Sequence, residues 1–200
     1  MGALARVKVY YRSLPDFLSQ VDSSVVYALN GAPLKLRGIN RHDIHPVTGR
    51  AITHELVEAD VRLFREANIN FIRTSHYPPR PDFLDLCDEY GIYVEDETAV
   101  AFLGQEIDCR ENDPEFTSRF MDQFAELIER DRSHPCVILW SLANESFWGT
   151  NIAMQNAYAH QEDPSRLTIF SYPITRHEED DRADIWSKMC IRDSGGLGER

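Results

Sequence analysis

"CVILWSLANE", residues 136–145, runs from an unbroken apolar start into an amide and a carboxylic acid. A short apolar run of this kind, entered through His134-Pro135, reads as a strand covered on both faces, as in parallel sheets. Asn144 and Glu145 then leave the end of that strand. A carboxylate beside an apolar wall is costly unless something uses it, so the pair marks a place where chemistry is expected.

Outward from this strand the pattern alternates. Ahead of it, Asp113-Pro114 starts a long helix in which Phe116, Phe120, Phe124 and Ile128 recur every four residues, the spacing of a buried helical face. Before that helix lies the strand "GIYVEDE", itself preceded by "PDFLDLCDEY", a helix opened by Pro81 and closed by Gly91. Earlier still come the strand "INFIRTS" and an amphipathic helix over residues 53–67. On that helix Val57, Val61 and Phe64 share one face, and Glu58 and Arg62 are spaced to pair on another. "GIN" supplies the first strand of the series, and Asn30-Gly31 between two apolar runs signals a β-hairpin ahead of it. After residue 145 a short helix is expected over residues 151–160, then the strand "LTIFSYP". Strand–helix alternation implies parallel strands with helical crossovers, so the class is α/β, an open sheet or a barrel.

Composition bounds the partners. The 200 residues carry 42% hydrophobic side chains, enough for a core, and 21 Lys+Arg against 33 Asp+Glu give a net charge of −12. With no basic run, nucleic acid and anionic membranes are poor partners. The first residues lack an apolar run long enough for a signal peptide, and no later segment approaches a membrane span. Cys87, Cys109, Cys136 and Cys190 form no C-x-x-C pair and read as free thiols of a reducing, cytoplasmic compartment.

The strand ends gather hydrogen-bonding and titratable groups. The first strand is followed by Asn40, Arg41, His42 and Asp43, the second by Arg73, Ser75, His76 and Tyr77, the third by Asp96 and Glu97, the fourth by Asn144 and Glu145. In parallel α/β folds ligands bind at that edge. Carboxylates, imidazoles and amides beside the rings of Tyr77, Phe147 and Trp148 suit a sugar, whose hydroxyls need polar partners and whose ring faces need apolar ones.

"GINRHDIHP", "NFIRTSHYPP", "CDEYGIYVEDET", "DRSHPCVILWSLANES" and "DPSR", in this order, resemble the catalytic barrel of glycoside hydrolase family two, the β-galactosidases and β-glucuronidases. The resemblance covers roughly residues 24 to 176. It implies a TIM (β/α)8 barrel, of which this chain supplies the hairpin and about five of the eight strands. It also implies a retaining β-glycosidase with Glu145 as general acid/base and Asn144 on the sugar 2-hydroxyl. The apolar run ahead of Glu145 favours the protonated acid that a leaving group needs. By the same implication His42 and His76 bind the first sugar, Asp96 and Glu97 stand at the rim of the site, and Arg73 and Asn40 brace it. The nucleophile of such an enzyme is expected on a later strand, beyond Arg200. The loop "DETAVAFLG" lacks the acid and histidine that follow the third strand in the metal-binding β-galactosidase branch, so no metal and no cofactor are expected.

Simpler readings stand beside these. Glu145 could be a strand-end carboxylate satisfied by a helix N-terminus, and Asp96 and Glu97 could merely tie neighbouring strands. Arg73 reads better as a buried ion-pair partner than as a substrate contact. Trp148 has two readings, a sugar platform or a cover for the barrel mouth. His42 and His45 share an i, i+3 spacing, without the partners of a known metal motif. Residues 1–23 read as a remnant of a preceding domain or a linker, and residues 177–200 as an irregular tail foreign to the pattern. Without its remaining strands the barrel exposes edges that invite self-association, so a homo-oligomer is expected. The alternative to an enzyme is a catalytically inactive fragment or a carbohydrate-binding piece of the barrel.

Overall fold

The computed structural model describes residues 28–30, 32–103, 110–171 and 183–187. A short antiparallel hairpin, β1 (Ala28–Leu29) and β2 (Ala32–Pro33), comes first, with Asn30 in the left-handed region at its turn. Gly31 of the expected turn lies outside the described residues. A six-stranded sheet follows, in the order β3 (Gly38–Arg41), β4 (Phe71–Thr74), β5 (Tyr93–Glu97), β6 (Val137–Asn144), β7 (Leu167–Ser171) and β8 (Ile185–Ser187). Every neighbouring pair is parallel and in chain order, the curl of an incomplete TIM barrel.

The strand β8 falls inside the stretch expected to be irregular. It pairs Ile169 with Ile185 and Phe170 with Trp186, so the sheet carries one strand more than the five read from the sequence. Three residues behind a charge run are too short a signal to register as a period.

The crossovers are α1 (His54–Glu66), α2 (Pro81–Tyr90), α3 (Thr117–Asp131) and α4 (Thr150–Glu162). The expected Glu58–Arg62 pair forms on α1 at 2.7 Å, and Gly91 ends α2 with φ 65°. The segment from Pro114 enters α3 through a 3-10 turn, Pro114–Phe116, capped by the Asp113 carboxylate accepting from the Glu115 N–H. At 13 residues, α4 is longer than the expected helix. Gly149 sits at its start because a Cβ there would lie 2.5 Å from the Glu111 carbonyl oxygen.

Two apolar layers sandwich the sheet. Ile72, Val94, Trp140, Leu142 and Phe170 face the helices and pack with Val57, Val61, Phe83, Phe120, Phe124 and Ile128. On the inner side Leu139, Leu167, Ile169 and Ile185 meet Phe71 and Tyr93, and Leu34 and Leu36 pack beneath them. Because side chains alternate along each strand, residues two further on from Phe71, Tyr93, Leu139 and Ile169 occupy the next inner layer: Arg73, Glu95, Ser141 and Ser171. That layer is polar, and it forms the floor of the site.

The motif "DPSR" clamps the opposite end of β6. Arg166 donates to the carbonyls of Val137 at 2.6 Å and of Arg132 and His134 at 3.0 Å, and pairs with Asp163. Asp163 in turn accepts from the Trp140 indole N–H at 3.0 Å. His134 also helps place the entry to β6, its Nδ1 standing 2.7 Å from Asp88, whose other oxygen accepts the Cys136 N–H.

Candidate active site

Glu145 follows the last residue of β6. Its backbone is in the left-handed region, φ 43°, costly for a residue with a Cβ, and its N–H donates to the Ser171 carbonyl at 3.0 Å. The β6–β7 register slips between Ser141 and Asn144, and this irregularity lets the strand end turn. The loop after β5 clips the same end: the Asn144 N–H donates to Val100, the Asn144 carbonyl accepts from Phe102, and the Ser146 hydroxyl also donates to that carbonyl. Asn144 is buried and Glu145 half-buried, so Glu145 is the more exposed member of the pair. Asn144-Glu145-Ser146 has the letters of a glycosylation sequon, but its buried amide is not presented to solvent.

Arg73 organises the floor. Its Nε and Nη2 donate to Glu97 Oε2 at 2.7 and 2.5 Å, and Nη2 also donates to Asn144 Oδ1 at 2.9 Å. Glu95 Oε1 lies 3.1 Å from Nε on the other side. Glu97, fully buried, further accepts the Ser141 hydroxyl at 2.7 Å and stands 2.7 Å from His76 Nδ1. Binding its oxygen to Arg73 leaves the Asn144 side chain with a buried Nδ2 that has no partner among the described residues. An unmatched buried amide donor costs on the order of 1–3 kcal/mol, a cost that a ligand accepting from it would repay.

The rim is aromatic. His42 and His76 meet edge to face at 5.2 Å, His76 meets the exposed Phe102 at 5.7 Å, and Tyr77 lies 6.2 Å from His42 with Arg50 stacked on its ring. Partial desolvation, then the neighbouring His76 and Arg73, lower the pKa of His42 and favour its neutral ring. His45 instead serves its own turn, Nδ1 accepting the N–H groups of Val47 and Thr48 at 3.3 Å.

The structure thus brings together Asn144, Arg73, Glu97, His76 and His42, with Glu145 next to Asn144 in the chain. Asn40 stands opposite Arg73 in the strand register, exposed on the edge strand. Asp96 is a correction. It alternates to the helix side of β5, fully buried, where Thr74 donates to it at 3.3 Å and it faces Asp131, which is held by Arg130 at 2.6 and 2.5 Å. Burial and the Asp131 carboxyl raise its pKa well above the ordinary range, and it cannot reach a sugar. Trp148 packs edge to face on Phe170 at 5.7 Å, against the helix-side core.

Sequence reasoning missed Glu95, Ser141, Ser171 and Phe102. The first three were available from alternation: in "YVEDE" Glu95 and Glu97 share a face and Asp96 does not. Among the described residues, Asp88, His134 and Cys136 bring metal-capable atoms within 4.8 Å of one another, but at the end of β6 away from Glu145 and with their own hydrogen bonds made.

Fold and layout together define the class: a parallel α/β barrel with its polar site at the C-terminal edge of the sheet. Residues 20–194 match the family described as Glycosyl hydrolases family 2, TIM barrel domain, and the chain belongs to that family. It is 44% identical over 139 residues to a beta-galactosidase of Vibrio cholerae, covering 69% of this chain and 14% of that protein. Against a beta-galactosidase of Priestia megaterium the identity is 38% over 173 residues, covering 82% and 17%. Among solved structures it is similar to beta-glucuronidase 3 of Bacteroides uniformis, with a TM-score of 0.70 and 30% identity over 82% of this chain and 22% of that one. The chain therefore spans under a fifth of the length of these curated relatives. Among the described residues no helix is long and apolar enough to cross a membrane.

Proposed function

We propose that the chain is part of a retaining β-glycosidase acting on β-galactosides or β-glucuronides, with Glu145 as general acid/base and Asn144 as the ligand of the sugar 2-hydroxyl. The observation that carries this reading is the buried Nδ2 of Asn144, without a partner among the described residues, on a side chain held by Arg73 next to the half-buried Glu145. A sugar in the mouth of the barrel would satisfy that donor, and the bond strengthens as positive charge develops at the neighbouring anomeric carbon. Glu145 then gives its proton to the departing oxygen, and in the second step takes one from the attacking water. His42 and His76 line the pocket, and Phe102 offers a ring face for the pyranose.

A retaining site also needs a carboxylate nucleophile about 5–5.5 Å from the acid. Glu97 does not fill that role, because both its oxygens are committed to Arg73, Ser141 and His76. The nucleophile belongs on a strand after β8. For the described residues taken alone this favours a second reading, carbohydrate binding without turnover. The galactoside reading draws on the named activity of the sequence relatives and the glucuronide reading on that of the structural neighbours.

The test is proton NMR of the first product released from aryl β-galactosides and β-glucuronides by the complete protein. Release of the β-anomer before mutarotation supports the reading, and release of the α-anomer, or no hydrolysis of either series, overturns it.

A further inference from the structure

Glu95 lies beneath both residues of the candidate pair. Its Oε1 is 3.1 Å from Arg73 Nε, and Arg73 holds Asn144. The same Oε1 accepts the Ser171 hydroxyl at 3.3 Å, and the Ser171 carbonyl holds the Glu145 N–H. One carboxyl thus touches the two residues that orient Asn144 and Glu145. We infer that Glu95 is a positioning residue whose proton sets how firmly Arg73 holds Asn144, and so makes the sugar site responsive to pH.

The inner layer sets the charge balance. From β4 the facing group is Arg73, from β5 Glu97, and from β6 and β7 the uncharged Ser141 and Ser171; His76 stands beyond Glu97. One guanidinium is shared by two buried carboxyls, and Glu97 takes the shorter contacts. Burial pushes the Glu95 carboxyl up to about 7, Glu97 adding to the rise while Arg73 and the serine hydroxyls oppose it. With its proton on, Glu95 leaves Arg73 to Glu97 and Asn144. With the proton lost, a second full charge at Nε competes for the guanidinium and loosens Asn144. This rests on the function proposed above only in what the site binds; the coupling itself belongs to the fold.

The experiment follows the Asn144 side-chain amide by 15N NMR across pH in the full chain, its peak assigned by absence from Asn144→Ala. The expected result is a titration of that peak with a midpoint near 7, absent in Glu95→Gln. Ser171→Ala, which removes a donor to the carboxylate, should move the midpoint upward in a chain that keeps Glu95. A peak that does not move with pH in the native chain, or that titrates alike in Glu95→Gln, overturns the inference. If the amide titrates as described but the complete protein hydrolyses no glycoside, the function reading fails and the coupling stands. If glycosides are hydrolysed and the amide is inert, the reverse holds.

Discussion

Arg73 and Asn144, 71 residues apart in the chain, meet at 2.9 Å, guanidinium to amide oxygen. The bond leaves the amide nitrogen as a buried donor without a partner among the described residues. Lysine at position 73 keeps the charge but cannot hold Glu97 and Asn144 together from a planar fork. Arg73→Lys should therefore lower kcat/KM by more than about tenfold, the loss of roughly one charged hydrogen bond. Arg73→Ala should destabilise the fold by about 3–5 kcal/mol, because it strands buried carboxyls. Steady-state kinetics and urea melts check the two outcomes separately.

Asn144→Ala tests the 2-hydroxyl contact. The expected loss in kcat/KM is about 10- to 100-fold on ordinary glycosides, and much less on 2-deoxy glycosides, which lack the partner group. Equal losses on both substrates would remove Asn144 from that role.

Stability should depend on pH through Glu95. Its folded-state pKa of about 7 exceeds the ordinary 4.5, so the folded chain holds this proton more tightly than the unfolded one. Folding bears no cost from it below the unfolded pKa; a cost accumulates as pH rises from 4.5 to about 7 and stays constant above, reaching about 3 kcal/mol. Glu95→Gln should remove that decline. Urea midpoints of the two proteins measured across this range should diverge as pH rises.

Asp96→Asn separates the helix-side acid from the site. Asp96 holds its proton against Asp131, so the isosteric amide should change stability near neutral pH by less than about 1 kcal/mol and leave KM unaltered. A large rise in KM with unchanged stability would return Asp96 to the sugar site.

The period of the chain was legible because its elements are long or sharply punctuated. Pro81 and Gly91 bracket α2, and the phenylalanines of α3 repeat where Phe120 and Phe124 are buried. The apolar run of β6 is buried at every position. The strand β8 was not legible, since three residues carry no period. At the site, residue types were readable but faces were confused. Asp96 and Glu97 are adjacent, and the two-residue alternation of a strand sends one to the helices and the other to the barrel interior. Glu95 was overlooked for the same reason. Phe102, at φ 62° in a loop, offers no periodic signal at all.

Glu145→Gln in the complete protein tests the assignment of Glu145 as the proton donor. Two substrates of the same sugar are compared, one with an activated aryl leaving group and one with a poor alkyl leaving group. If Glu145 donates the proton, the first glycosylation step survives on the activated substrate, whose oxygen departs without a proton, and falls by about 100-fold or more on the other. Equal and small losses on both would contradict it.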